Sequence, residues 1–189
     1  MGLKIERKGD VRFAKAIMTR VADIPGGVTI QTSVLGGAAI LEGTPVGPVA
    51  NGMYGVAKTA KVVTAAAIDA VAYEVAKGHH FKIGDFFGTA ACNGKAITAI
   101  DKTTSAVVDT ITLATTLGAV VAAGTVAYQT GDGNKVITVT PTAIAGSSYD
   151  VEVTNNLFVD AWLVAVVNSL TTPPVDAGIK TALKGVFYV

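Results

Sequence analysis

Tyr73-Glu74-Val75-Ala76-Lys77-Gly78-His79-His80-Phe81-Lys82-Ile83-Gly84-Asp85-Phe86-Phe87 holds both histidines and three of the six phenylalanines of a chain dominated by Ala, Val, Thr and Gly. The stretch reads either as a catalytic centre or as two strands joined by a turn at the heart of a small β domain. Lys77-Gly78 and Gly84-Asp85 are turn signals, with the Asp85 carboxylate suited to accept backbone N–H bonds across a tight reversal. Adjacent residues of a strand point to opposite faces, so His79 and His80 are poorly arranged to share one metal. A zinc site needs three or four ligands, and only Glu74, Asp85 and Cys92 lie near in sequence. The histidines are therefore expected in a turn or at the surface, with no metal and no cofactor.

Outward from this stretch, residues 52–131 read as a compact β domain. Short β-prone runs at 53–58, 61–64, 70–76, 85–90, 96–101, 110–115 and 124–129 are separated by turn signals at Lys77-Gly78, Asn93-Gly94 and Leu117-Gly118. Asn93-Gly94 is the strongest, since both residues tolerate positive φ in a hairpin turn. Strands at this spacing without long helices predict a small β-barrel or sandwich.

Residues 1–51 are expected to form an extended N-terminal arm. Asp10 caps a short predicted helix in which Phe13, Ala14, Ile17, Met18 and Val21 share a face. Pro25-Gly26-Gly27 ends it, and 28–34 is β-prone. The Gly/Pro-rich run 35–52 reads as an extended crossing with one brief strand at 38–42, because Pro45 and Pro48 do not suit a central strand. After a boundary at Gly131-Asp132-Gly133-Asn134, residues 132–189 read as a β-rich subdomain with strands at 136–140, 148–153 and 159–167. Asp176 caps a short helix over 177–184, with Gly185 beyond its end. The β-prone Val186-Phe187-Tyr188-Val189 should pair with a sheet or another subunit. The fold class is thus mainly β: a barrel or sandwich body, an extended arm, and a short C-terminal helix followed by a terminal strand.

Bulk properties narrow the function. The chain has 189 residues, 50% hydrophobic, 15% charged and only 6% aromatic, so its core consists of small side chains and its surface suits an assembly component. A single cysteine, Cys92, excludes an internal disulfide, and no apolar segment with a small-residue cleavage site opens the chain; synthesis in a reducing cytoplasm is expected. The uncharged run from Thr110 to Gly131 carries too many Thr and Gly residues for a membrane helix. Residues 1–20 hold six of the 15 basic side chains and two of the 14 acidic ones, Glu6 and Asp10, which leaves nine against twelve for the rest. A basic head on a mildly acidic body suits docking on a negative protein surface. Specific nucleic-acid readout would need a basic face with aromatic or helical readers, and Phe13 is the one aromatic within that head.

Catalytic motifs are not found. There is no Gly-x-Ser-x-Gly elbow, Cys92 sits in the approach to a turn, the carboxylates are scattered, and Gly131-Asp132-Gly133-Asn134-Lys135 lacks the Walker spacing. The expectation is a non-enzymatic protein, with Trp162, Phe187 and Tyr188 as core or oligomer anchors.

The series Glu42-Gly43-Thr44-Pro45-Val46-Gly47 and Lys77-Gly78-His79-His80-Phe81-Lys82-Ile83-Gly84-Asp85 resembles the head decoration and head-fibre proteins of tailed bacteriophages. Ile97-Thr98-Ala99-Ile100-Asp101, Val159-Asp160-Ala161-Trp162 and Ala182-Leu183-Lys184-Gly185-Val186 extend the likeness over most of the chain from about Glu42. The resemblance implies an auxiliary capsid protein on the virion surface, made in the host cytoplasm, often a homotrimer or other homo-oligomer, whose partner is the major capsid protein. Lys4, Arg7, Lys8 and Arg12 would face acidic patches on that partner, and Phe13 and Ile17 would fill apolar gaps. A tail or baseplate structural protein, separable by its position on virions, and a carbohydrate-binding host-adhesion module, which needs an exposed aromatic platform, are the alternatives.

Overall fold

The computed structural model describes residues 15–152 and 154–189. In chain order the strands are β1 (Ile17–Asp23), β2 (Val28–Ile30), β3 (Ala39–Ile40), β4 (Pro45–Pro48), β5 (Tyr54–Val56), β6 (Thr59–Lys61), β7 (Ala72–Ala76), β8 (Phe86–Gly88), β9 (Lys95–Asp101), β10 (Val108–Leu113), β11 (Val126–Thr130), β12 (Ala143–Ala145), β13 (Tyr149–Asp150), β14 (Leu157–Val159), β15 (Ala161–Val167) and β16 (Val186–Tyr188). The helix α1 (Ala177–Ala182) precedes β16. The chain is mainly β, with curled sheets and a short C-terminal helix followed by a terminal strand, as its composition and spacing predict.

The two large sheets divide the chain unevenly. Residues 59–130 supply the second sheet, ordered β6-β11-β8-β9-β10-β7. Its end strands approach each other through the Val62–Val75 bridge, and Val63 N–H donates to Glu74 O at 2.9 Å, so the sheet curls around its own core. Inside lie Tyr73, Phe81 and Phe87, with ring centroids 5.5 Å apart for Tyr73–Phe87 and 5.4 Å for Phe81–Phe87. Each fully buried phenylalanine contributes about 2–3 kcal/mol, more than any of the surrounding alanines can.

The first sheet is built from both ends of the chain, in the order β1-β15-β12-β4-β5-β2-β14, with β16 parallel to the end of β15. This overturns the expected divisions at 51 and 131, because β1, β2 and β4 share a sheet with strands from beyond the second sheet's segment. The 15–56 segment is therefore part of the body. The expected helix falls partly on Phe13 and Ala14, which lie outside the described residues, but Ile17, Met18 and Val21 belong to β1 and not to a helix. The cause is tertiary: β1 pairs antiparallel with β15, Ile17 opposite Val167 and Asp23 opposite Trp162, and this ladder outweighs a local helical pattern.

Two further local expectations are corrected in their geometry, the edge placement of the Pro45–Pro48 strand and the positive φ of the Asn93-Gly94 turn, which does join antiparallel β8 and β9. β4 lies between β12 and β5, despite its prolines. Pro45 and Pro48 occupy its two ends, and Pro45 takes part through its carbonyl, which accepts from Ala57 N–H at 3.0 Å, so the missing N–H costs no ladder bond there. Asn93-Gly94 joins β8 to β9 without positive φ at either residue. The turn is instead closed by reciprocal Thr89–Cys92 backbone bonds, and a Cβ at Gly94 would meet Thr130 and Gly131. Gly94 is needed for close approach.

At the C-terminus the expected cap forms: Asp176 Oδ1 accepts from Ile179 N–H at 2.8 Å. The helix ends at Ala182, earlier than predicted, and Gly185 does not take the left-handed conformation. A Cβ there would lie 2.4 Å from Leu163 O, so Gly185 lets β16 reach β15. Of the strands expected at 136–140 and 148–153, the first reduces to the Thr130–Ile137 bridge and the second to β13, with Val153 outside the described residues.

Candidate functional site at the junction of the sheets

Tyr73 to Phe87 does contain two strands, but β7 and β8 are not partners: β7 pairs with β10, and β8 with β9 and β11. The connection from Gly78 to Asp85 meets the Ser33–Gly37 segment that follows β2. Gly36 N–H donates to His80 O at 2.9 Å, Lys82 Nζ to Ser33 O at 2.9 Å, and Lys102 Nζ to Gly36 O at 2.6 Å. A Cβ on Gly36 would stand 2.1 Å from Phe81 O, and one on Gly37 would stand 2.7 Å from His80 Nδ1. Gly36-Gly37 is thus the contact that lets one sheet's connection lie on the other's.

Both histidines are buried here, 4% and 6% exposed, which corrects the expected surface position. Phe81 N–H donates to His79 Nδ1 at 3.2 Å, so the neutral ring carries its proton on Nε2. That nitrogen lies 3.2 Å from Asp109 Oδ2 without the alignment of a hydrogen bond. Asp109 is also buried and is paired with Lys77 Nζ at 2.7 Å. Burial, helped by the Lys102 and Lys77 charges and opposed by Asp109, brings the His79 pKa down to about 4. Burial, with Lys58, His79 and Lys102 adding to it and a bond to the Ala39 backbone opposing, brings His80 to about 4 as well. Both rings are neutral at pH 7.

A second buried pair adjoins them. Lys58, with 3% of its side chain exposed, donates to Asp85 Oδ2 at 2.7 Å. Desolvation lowers the Lys58 pKa, and the Asp85 bond and charge oppose that shift. Asp85 also accepts from Lys82 N–H at 2.8 Å and Gln129 Nε2 at 3.0 Å. The reversal expected of Asp85 is therefore present, but the carboxylate does more: it compensates a buried lysine.

The adjoining cavity, about 70 Å³, is lined in part by Thr44, Thr59, His79, His80 and Pro173. It has room for a few waters and is far smaller than the ~300–1,000 Å³ of ordinary ligand sites. Among the described residues no three His, Cys, Asp or Glu side chains come together as a metal site. What ties the second sheet's connection to the segment after β2 is the Gly36–His80 backbone bond and the Lys82 and Lys102 bonds to the Ser33 and Gly36 carbonyls, while the Lys77–Asp109 pair and the neutral His79 ring lie within the second sheet's own segment.

The other singled-out residues are dispersed. Lys4, Arg7, Lys8, Arg12 and Phe13 lie outside the described residues. Ile17 is buried in the cluster around Ile144, Val167 and Leu183, so it cannot fill a gap on a partner, which corrects that expectation. Trp162 packs against the same cluster, donates to Asp160 Oδ2 at 3.3 Å, and carries the Arg20 guanidinium 5.5 Å from its ring centroid. Tyr188 packs there too, whereas Phe187 is 58% exposed. Lys58, Lys77, Asp109 and Gly36-Gly37 did not stand out in the sequence as site residues. The glycine pair was visible, but it reads equally as loop punctuation. Comparison with protein-family models, curated proteins and solved structures finds no match to this chain.

Proposed function

We propose that this chain is a non-enzymatic virion structural protein that binds the outer surface of a capsid, decorating or cementing capsomers or anchoring a head fibre. One observation carries the reading: the basic N-terminal segment joins the body at an exposed sheet edge. Among the described residues β1 ends the first sheet, with Met18 and Val21 exposed, and its start is held firmly. Ala16 N–H donates to Glu42 Oε2 at 2.8 Å, Asn168 N–H to Ala16 O at 2.8 Å, and Thr171 Oγ1 to Lys15 O at 3.1 Å. Lys4, Arg7, Lys8, Arg12 and Phe13 precede that anchored point in the sequence, and the apolar edge beside it is one that a partner would cover.

Exposed ion pairs contribute only ~0.2–1 kcal/mol each, so attachment to the major capsid protein rests on many contacts and on avidity across a homo-oligomer. Sedimentation with purified capsids tests this. The full chain should pellet with particles, and a chain lacking residues 1–14, cut short of β1, should lose binding about tenfold or more while melting normally. Unchanged binding of the shortened chain would overturn the reading, and immunogold labelling of tails instead of heads would reassign the partner.

A further inference from the structure

A groove of about 350 Å³ opens where the two sheets meet the segment before α1. Lys61 and Val126 line it from the second sheet, Pro173 and Pro174 from the connecting segment, and Lys180 and Tyr188 from α1 and β16. Among the described residues no acidic side chain lines it, and neither lysine has a carboxylate partner. Lys180 Nζ is 4.9 Å from the Tyr188 ring centroid, which holds one ammonium at the groove. The Tyr188 hydroxyl is buried without a hydrogen-bond partner among the described residues, and burial pushes its pKa up to about 12, so it stays protonated as a donor. Leu170, 91% exposed, extends the apolar side of the groove beyond the prolines.

We propose that this groove binds an extended acidic peptide segment of a partner protein, its carboxylates on Lys61 and Lys180 and its apolar residues on Pro173, Pro174 and Leu170. The charge complementarity selects the occupant. A free inorganic anion would leave the proline and leucine wall wet, whereas a strand alternating acidic and apolar side chains uses both kinds of wall. The proposal rests on the capsid-surface reading only for the source of that peptide.

The test uses a labelled peptide of about ten residues alternating Glu and Val, with a Gln/Val peptide as control, against the full chain. Amide resonances of Lys61, Val126, Lys180 and Tyr188 should shift, and Lys61→Glu with Lys180→Glu, both exposed positions, should weaken binding about tenfold or more. Tyr188→Phe should weaken it by less. Equal binding of both peptides, shifts confined to other residues, or indifference to the double charge reversal would overturn the proposal. Capsid sedimentation is a separate readout: peptide binding without particle binding keeps the groove and removes the capsid reading, and the reverse removes the groove.

Discussion

Acidification should destabilise this protein well before its carboxylates titrate. His79 and His80 each have a folded pKa of about 4 against an ordinary value of 6.5. Between those values the unfolded chain takes up protons that the folded chain refuses, so stability is full above the ordinary histidine pKa and falls as pH drops toward the folded one. At about 1.4 kcal/mol per unit, each histidine removes about 2 kcal/mol by pH ~5 and about 3 kcal/mol by pH ~4. The pair removes about 4 and then about 6 kcal/mol, a large part of the ~5–15 kcal/mol of a typical domain.

The chain has just two histidines, so the window from about pH 6.5 to 5 isolates them from the carboxylates. Urea unfolding followed by Trp162 fluorescence across that window should show the fall in ΔG. In His79→Gln with His80→Gln the slope should flatten, whatever the new absolute stability. A flat wild-type profile between about pH 7 and 5, or a slope that survives in the double variant, would refute the assignment of buried neutral imidazoles.

Two further outcomes probe the same junction. Gly36→Ala places a Cβ 2.1 Å from a backbone oxygen and should cost about 2–3 kcal/mol or more by urea midpoint, whereas Gly78→Ala, in open space at φ +88°, should cost about 1 kcal/mol. Lys58→Met leaves Asp85 without its cation and should cost about 3 kcal/mol, much of it recovered in Lys58→Met with Asp85→Asn; an unaffected single variant would mean that the pair is solvated in solution.

Much of the architecture can be read from the chain because it is local. Turn residues bound most short strands, the Asp176 cap announces α1, and the Asp85 reversal needs only its neighbours. Where the reading failed, a distant partner decided. Ile17 to Val21 have a helical apolar pattern, yet β15, from the far end of the chain, takes that segment as an edge strand. Pro45 and Pro48 argue against a central strand, yet their positions at the ends of β4 spare the bonds they cannot make. The site shows the same division. His79 and His80 stand out by rarity, while Lys58, Asp109 and Lys77 are ordinary until the fold places them beside the imidazoles.

A mainly β chain of short strands, a small-residue core, a capped terminal helix and a basic head all follow from residue type and near-neighbour spacing. Three features do not: that both ends of the chain share one sheet, that the histidines are buried and neutral, and that Lys61, Lys180 and Tyr188 line one groove. Burial and charge pairing depend on contacts between distant segments, and only the pairing of strands in three dimensions brings those segments together.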